Sequence, residues 1–166
     1  MYEFKQLEIN KDEILRDLEE AIEETKENYI EPMYWVDSIP VFNSSFIAAE
    51  HNIKFAALAT FNGGEPAIIT DVLFNKYLTE EEQNIILAHE IGHYEYRKKG
   101  VDKKSMSKLE WEILADMYAV SIYGHDRVLD TLVKVAKIAK SIYDDIDTDE
   151  IKYRLVALEM DKIKNR

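Results

Sequence analysis

Two histidines four residues apart, with a glutamate directly after the first, constrain this chain more than any other feature of its sequence. They form the motif H-E-x-x-H, here His89, Glu90 and His93, in a stretch whose residues favour a helix. On an α-helix, residues four apart lie about 40° apart around the axis, so both imidazoles can reach one metal ion. Glu90 lies about 100° from His89, which suits a general base better than a ligand. The motif predicts His89 and His93 as zinc ligands and Glu90 as the catalytic base.

The residues around the motif indicate where its helix begins and ends. Thr79 and Glu82 form a capping-box pattern, and Gly100 follows two lysines as a C-terminal stop. We therefore expect a helix over about 80–99. Gly92 inside this helix costs about 1 kcal/mol relative to alanine, which predicts that another group, such as the metal site, lies close to the backbone there.

A second helix is expected after the motif. Ser107 with Glu110 again forms a capping pattern, and Gly124 marks the end of this helix. Glu112 and Asp116 fall within its apolar stripe, whereas Glu110 is expected to point to solvent. The apolar residues of the stripe are Leu109, Ile113, Val120 and Tyr123.

The two carboxylates on this stripe are the candidates that complete a metal site. A carboxylate on a core-facing stripe is costly unless it is paired or binds a metal, so we expect Glu112 to be the third ligand. Asp116 is expected to accept the free N–H of a ligating histidine. The alternative for each carboxylate is a solvated position on the helix surface. If Glu112 is not a ligand, Asp116 or His125 is the next candidate.

H-E-x-x-H followed by E-x-x-x-D, here Glu112 to Asp116, is similar to the gluzincin arrangement of zinc peptidases. Residues 57–92 and the Arg154-Leu155 pair resemble the HtpX and CAAX prenyl protease family, in a form without its membrane helices. The motif and the short chain resemble equally the ImmA/IrrE family of phage and stress-regulator peptidases. Both resemblances imply a zincin-like fold, with one Zn²⁺ held by His89, His93 and Glu112 and with Asp116 supporting a ligand.

The resemblance implies a metalloendopeptidase that cleaves a peptide or protein substrate by a zinc-activated water, with Glu90 as general base. His125 and Arg154 are candidate stabilisers of the oxyanion, and Arg154 could instead steady Glu112. A loop histidine and a surface salt bridge are the plain alternatives for these two residues. The alternative function is a regulatory protein of zincin fold that binds a repressor or another partner without general proteolysis. The intact Glu90 favours the enzyme, because binding alone needs no base.

Composition narrows the class of protein further. The 166 residues are 46% hydrophobic, which suits one domain with a sizeable core. The lack of cysteine excludes disulfides and thiolate ligands and fits the cytoplasm. The net charge of -12 argues against nucleic-acid binding, and no segment has the roughly 20 apolar residues of a membrane span. Residues 1–5 lack the basic and apolar start of a secretory signal, so we expect none.

The whole chain, 1–166, is expected to be a single zincin-like domain of the α+β class, with a small antiparallel or mixed sheet packed on the active-site helix and a mostly helical remainder. Two strands, about 54–61 and 66–72, joined by a turn at Asn62-Gly63-Gly64, are expected to line the substrate cleft. A linker or edge strand is expected at 32–40, and His51 is expected to be structural. The helical parts are an N-terminal helix over 1–30, capped by Asn10 and ending near Tyr29, the zinc-binding helices over 80–123 and the C-terminal helices over 126–164.

Overall fold

The structure is a computed structural model, and it describes residues 9–27, 31–61 and 64–165. Its strands are β1 (Tyr34–Val36), β2 (Ile39–Asn43), β3 (Ala56–Phe61) and β4 (Glu65–Thr70). They form one sheet in the order β1-β2-β4-β3. The outer pairs, β1 with β2 and β3 with β4, are antiparallel, whereas β2 and β4 are parallel. The sheet is therefore mixed, with β1 and β3 as its two edge strands.

The rest of the described chain is mainly helical. Its α-helices are α1 (Lys11–Lys26), α2 (Ser45–Glu50), α3 (Val72–Tyr77), α4 (Glu80–Lys98), α5 (Lys108–Tyr123), α6 (His125–Ile142) and α7 (Thr148–Lys164). None of these helices combines the length and the apolar character needed to cross a bilayer. The predicted α+β class, with a small mixed sheet and a mostly helical remainder, is confirmed. The zincin-like assignment stays a prediction.

Capping side chains explain where the long helices begin. Thr79 Oγ1 accepts from the N–H of Glu82 at 3.2 Å, and Glu82 Oε1 accepts from the N–H of Thr79 at 2.8 Å, which completes the capping box of α4. Ser107 caps α5 by accepting from the N–H of Glu110, and Asn10 caps α1 in the same manner. The helices expected over 80–99 and in the C-terminal region are thus found within about two residues of their predicted bounds.

Three short elements were not expected from the sequence. These are β2, α2 and α3, each five or six residues long. The segment 32–40 contains β1 and the start of β2, so its prediction as an edge strand is right for β1. His51 is the C-terminal cap of α2. Residues 1–5, the predicted helix end near Tyr29, and Asn62 and Gly63 of the predicted turn lie outside the described residues.

Helix α4 lies between two parts of the core and is buried from Ile85 to His93. One flank, through Leu87 and Ile91, joins the cluster of apolar side chains beneath the sheet. The other flank, through Ala88, joins a cluster with α6 and α7 that includes Leu158. Full burial of a leucine or isoleucine side chain contributes about 1.5–3 kcal/mol. The helix that carries the histidine motif is therefore held firmly on two sides.

Gly92 allows α4 and α5 to approach each other closely. A Cβ atom at this position would lie 2.8 Å from Cβ of Tyr118 and 3.2 Å from Cα of Ala115. Because the Cβ atom of Tyr118 is fixed to its backbone, a contact of 2.8 Å requires the helices to move apart. The sequence predicts that another group lies close to the backbone at Gly92, and the structure shows that this group is helix α5. The close packing of α4 and α5 at Gly92 sets the distance between the histidine motif and Glu112.

Asp71 is a buried carboxyl group that caps α3 and joins it to β3. It accepts from the N–H groups of Leu73, Phe74 and Phe55. Burial raises its pKa from 3.8 to about 6, although these backbone bonds oppose the rise. The folded protein therefore binds this proton more tightly than the unfolded chain does.

Asp71 should make stability depend on pH in a defined direction. Its contribution is complete below about pH 4 and is lost as the pH rises through about 6, a change of about 3 kcal/mol. Urea unfolding at several pH values, compared with the non-titrating Asp71→Asn variant, measures this effect. The free energy of unfolding of the wild type relative to the variant should fall between pH 4 and pH 7. Parallel pH profiles for the two proteins would show that Asp71 has an ordinary pKa.

Candidate metal centre

His89 and His93 on α4 face Glu112 on α5. Nε2 of His89 lies 3.0 Å from Oε2 of Glu112, and Nε2 of His93 lies 3.4 Å from Oε1. The two imidazole rings are 4.8 Å apart and nearly perpendicular. One potential ligand atom from each of the three residues falls within 4.8 Å of the others. These residues, both histidines buried and Glu112 partly so, could hold a metal ion.

The three donors are close enough together to be compared with the spacing that zinc requires. A zinc ion about 2.0–2.1 Å from each ligand places the ligand atoms roughly 3.3 Å apart. The distances of 3.0 and 3.4 Å from Glu112 to the histidines run to its two different oxygens, and the three donor atoms lie within 4.8 Å of one another, so the side chains would have to draw closer around a zinc ion. The donors are two nitrogens and a carboxylate, a set that catalytic zinc uses with one position left for water or substrate. The chemistry of the donor set is therefore compatible with zinc, and the identity of the metal stays a prediction.

His89 is oriented from behind by a buried pair of charges. Its Nδ1 lies 2.8 Å from Oδ1 of Asp116, so Nε2 is left to face Glu112. Arg154 on α7 donates to both oxygens of Asp116, from Nε and Nη2, at 2.8 Å each. Asp116 is 1% exposed. When a carboxylate accepts from the second nitrogen of a ligating histidine, it fixes the tautomer and the ring orientation of that histidine.

On the side away from Glu112, His93 is held by stacking and not by a hydrogen bond. Its ring lies 5.2 Å from that of Trp111, at an angle of 22°. Its Nδ1 is buried and has no hydrogen-bond partner within the described part of the chain. Trp111 was not singled out from the sequence. Its position on α5 could have indicated this role. Trp111 lies one residue before Glu112 and one turn before Ala115, and Ala115 contacts Gly92.

Glu90 points from α4 to the edge of the sheet. Its Oε2 accepts from the backbone N–H of Leu58 at 2.9 Å, and its Oε1 lies 3.9 Å from Nε2 of His89. Burial raises the pKa of Glu90, although His89 and His93 oppose the rise. Glu90 is therefore beside the three donors and outside their set. The contact with Leu58 could not be predicted, because it joins residues 32 positions apart.

The charges of the site balance one another. Burial disfavours the charged form of His89, but its bonds to Asp116 and Glu112 outweigh burial and raise its pKa to about 10. Burial alone would raise the pKa of Glu112, yet His89 and His93 hold it well below its usual range. Arg154 likewise keeps the pKa of Asp116 low in spite of burial. A metal ion would replace the proton on His89, so metal binding should release protons and weaken as the pH falls.

The two further residues predicted near the reaction occupy different places. Arg154 is brought to the site, where it binds Asp116 and where its Nη1 lies 3.9 Å from Oε2 of Glu112. His125 begins α6, and its Nε2 lies 2.7 Å from Oδ2 of Asp161 on α7. The structure therefore shows Arg154 beside Glu112 and gives His125 a partner outside the metal group.

The face of α5 that is buried most deeply differs from the predicted stripe. Leu109, Ile113, Val120 and Tyr123 are only half-buried. The buried apolar residues of α5 are Trp111, Ala115 and Ala119. The reason is that α5 packs closely on α4 at Gly92, so small residues face the nearest helix. Glu110 is exposed, as predicted, and Asp116 is buried.

A cleft of about 400 Å³ opens beside Glu112 and Arg154. Side chains from α6, from the segment before β3 and from the start of α7 line it. Its apolar lining includes Phe55, Leu132, Val135, Ile146 and Ile151. Ion pairs of Lys54 with Asp145 and of Lys108 with Glu150 lie along the same cleft. The metal group is therefore next to a space that could take part of another molecule.

None of the protein-family models, curated proteins or solved structures compared with this chain matches it. The candidate site consequently rests on the geometry of its own residues. Membership of a gluzincin family stays a prediction from the motif.

The metal site makes a direct prediction for binding. The chain should bind close to one Zn²⁺, and Glu112→Gln should weaken binding by roughly tenfold or more because the charged ligand is lost. Competition with a chromogenic chelator and elemental analysis measure both quantities. Glu110→Gln, the same change at an exposed position of α5, is the matched control and should bind zinc like the wild type. Equal affinities for the two variants would remove Glu112 from the ligand set and leave Asp116 or His125.

Proposed function

We propose that this protein is a zinc-dependent endopeptidase that cleaves peptide bonds in a peptide or protein substrate. The observation that carries the proposal is the position of Glu90, which lies beside the His89, His93 and Glu112 donors and at the same time contacts the edge strand β3. A site that only stores a metal does not need a carboxylate in this place. A hydrolase needs one to handle the proton of the attacking water.

His89, His93 and Glu112 would hold the zinc ion, and Asp116 would keep His89 in the tautomer that exposes Nε2. When bound, zinc lowers the pKa of a water toward 7 and polarises a carbonyl group. Glu90 would accept the proton of the attacking water and pass it to the nitrogen of the leaving amine. Its raised pKa suits this role, because a base that must also act as an acid works best with a pKa close to the ambient pH.

The edge of β3 supports a substrate in extended form. The N–H of Asp71 donates to the carbonyl of Phe55 at 3.0 Å, so odd-numbered residues of β3 exchange ladder bonds with β4. The N–H and C=O groups of Ala56, Leu58 and Thr60 therefore point away from β4. The N–H of Ala56 donates to the carbonyl of Lys54 and the N–H of Leu58 donates to Glu90. A peptide could therefore add to this edge as a strand beside Glu90, and it would pair with the N–H of Leu58 only when Glu90 turns from that N–H to the attacking water.

The cleft beside Glu112 would hold one side chain of that peptide. About half of its lining residues are apolar and the others are polar or charged, and its volume of about 400 Å³ has room for a large aliphatic or aromatic side chain. The ion pairs along it disfavour a charged side chain that has no partner. We therefore propose preferential cleavage next to apolar residues.

Digestion of a peptide library, with products identified by mass spectrometry, tests the function. The zinc-loaded protein should cut preferentially next to large apolar residues, the chelated protein should not cut, and added zinc should restore cleavage. Cleavage that survives complete metal removal would contradict the proposal. A protein that binds zinc but cuts no member of the library would also contradict it, and would favour the regulatory binding protein instead.

A further inference from the structure

Helix α7 carries a continuous apolar stripe on its outer face. Tyr153, Val156, Met160 and Ile163 are 62%, 54%, 65% and 61% exposed. Their spacings of three, four and three residues keep them on one side of the helix. The opposite side of α7 is already satisfied, because Leu155 and Leu158 are buried in the core.

This stripe is unusual among the exposed apolar side chains of the described residues. The other large ones are Ile122 on α5 and Met33, Tyr34 and Trp35 at β1. Single apolar residues at a surface need no explanation, but a row of four along one helix indicates a binding face. The 3-4 spacing is that of helices that pack side by side at a crossing angle of about 20°.

We propose that a second copy of this chain packs on the stripe, with the two α7 helices antiparallel about a twofold axis. The stripe exposes roughly 500 Å² per chain, so the pair would bury on the order of 1,000 Å², the lower limit for a specific interface. A weak dimer, with a dissociation constant in the micromolar range, is the expected result. This proposal does not depend on the proposed peptidase activity.

The stripe is complementary to itself in the antiparallel orientation. When Tyr153 lies opposite Ile163 of the second copy, Val156 lies opposite Met160, so each layer pairs a larger side chain with a smaller one. In the same register Glu159 lies close to Glu159 of the second copy beside the twofold axis, and this contact between like charges keeps the expected dimer weak. In a parallel pair, by contrast, each stripe residue would meet its own copy, and the two bulky Tyr153 rings would share one layer.

Sedimentation velocity of the complete chain from about 1 to 100 µM tests the association. The wild type should pass from monomer to dimer over this range. Ile163→Glu should raise the dissociation constant about tenfold or more, because it places a charge within the apolar stripe. Ile122→Glu is a matched control, because it changes the same residue type at a similar exposure of 55% on α5. It should associate like the wild type. A wild type that stays monomeric at about 100 µM, or equal effects of the two variants, would overturn the proposal.

Cysteine cross-linking tests the orientation. The chain contains no cysteine, so Tyr153→Cys and Ile163→Cys each introduce a single thiol. An equal mixture of the two variants should form the mixed disulfide on oxidation. Neither variant alone should cross-link, because like positions in the antiparallel pair are offset by about 15 Å along the helices. Disulfides that form within each variant alone, and not between the two, would show a parallel pair and overturn the antiparallel arrangement.

Discussion

Replacing Glu90 by glutamine should reduce peptide cleavage by about 10³-fold while the fold and the bound zinc are retained. The amide keeps the size of the carboxylate and is not one of the three metal donors, yet it cannot take a proton from water. Steady-state cleavage of the best library peptide, zinc content and thermal melting of the same preparation measure the three expected results. The loss should appear in kcat and not in KM alone, because the base acts in the transition state.

Glu95→Gln is the control for this change. Glu95 lies on the same helix, where it pairs with Lys98 at the surface at 3.1 Å. Such an exposed pair contributes at most about 1 kcal/mol, so this variant should cleave like the wild type. Equal activity of Glu90→Gln and the wild type would exclude Glu90 as the base. If Glu90→Gln lost zinc along with activity, Glu90 would have to be counted among the ligands.

Replacing Asp116 by alanine should have the largest effect on stability of any change at the site. From the motif alone, this change is expected to weaken zinc binding by about 10- to 100-fold without a large loss of stability. The weaker zinc binding stays a prediction. The small loss of stability is no longer expected, because Asp116 also neutralises Arg154, whose side chain is 15% exposed. Removing one partner of such a pair costs about 3–5 kcal/mol.

Two further variants separate the two roles of Asp116. Asp116→Ala combined with Arg154→Met removes the unpaired charge, so it should regain much of the stability while zinc binding stays weak. Asp126→Ala removes a surface carboxylate that pairs with Lys162, and it should leave both quantities nearly unchanged. Urea unfolding of the metal-free proteins and chelator competition are the measurements. If the double variant were no more stable than Asp116→Ala, the stability loss would not come from the unpaired Arg154.

The helices of the site could be predicted from the sequence because their signals are local. Thr79 with Glu82 and Ser107 with Glu110 lie three residues apart, and the structure uses both pairs as caps. The short elements β2, α2 and α3 could not be predicted in the same way. Each has too few residues to show a period of its own, and β2 is in addition defined by its parallel pairing with the distant strand β4.

The residues of the candidate site also differ in how well the sequence predicts them. His89, His93, Glu112 and Asp116 come together as the spacing on two helices predicts. The roles of Trp111 and Leu58 were missed because they depend on how α5 and β3 pack against α4. The sequence offered Arg154 as a support for Glu112 or for the oxyanion, but its strongest bonds are to Asp116. Spacing along one helix was informative, whereas contacts between elements required the fold.

The contact between Glu90 and Leu58 has a consequence for the solubility of the folded protein. An unpaired sheet edge is a template on which strands of other molecules can add, and it is a common start of aggregation. At the other edge the strand β1 is only three residues long. On β3 the carboxylate of Glu90 occupies the outward N–H of Leu58, so an incoming strand must displace a buried charge before it can pair there. Glu90 would thus protect the sheet from unspecific pairing, and the Glu90→Gln protein should aggregate faster at high concentration than the wild type does.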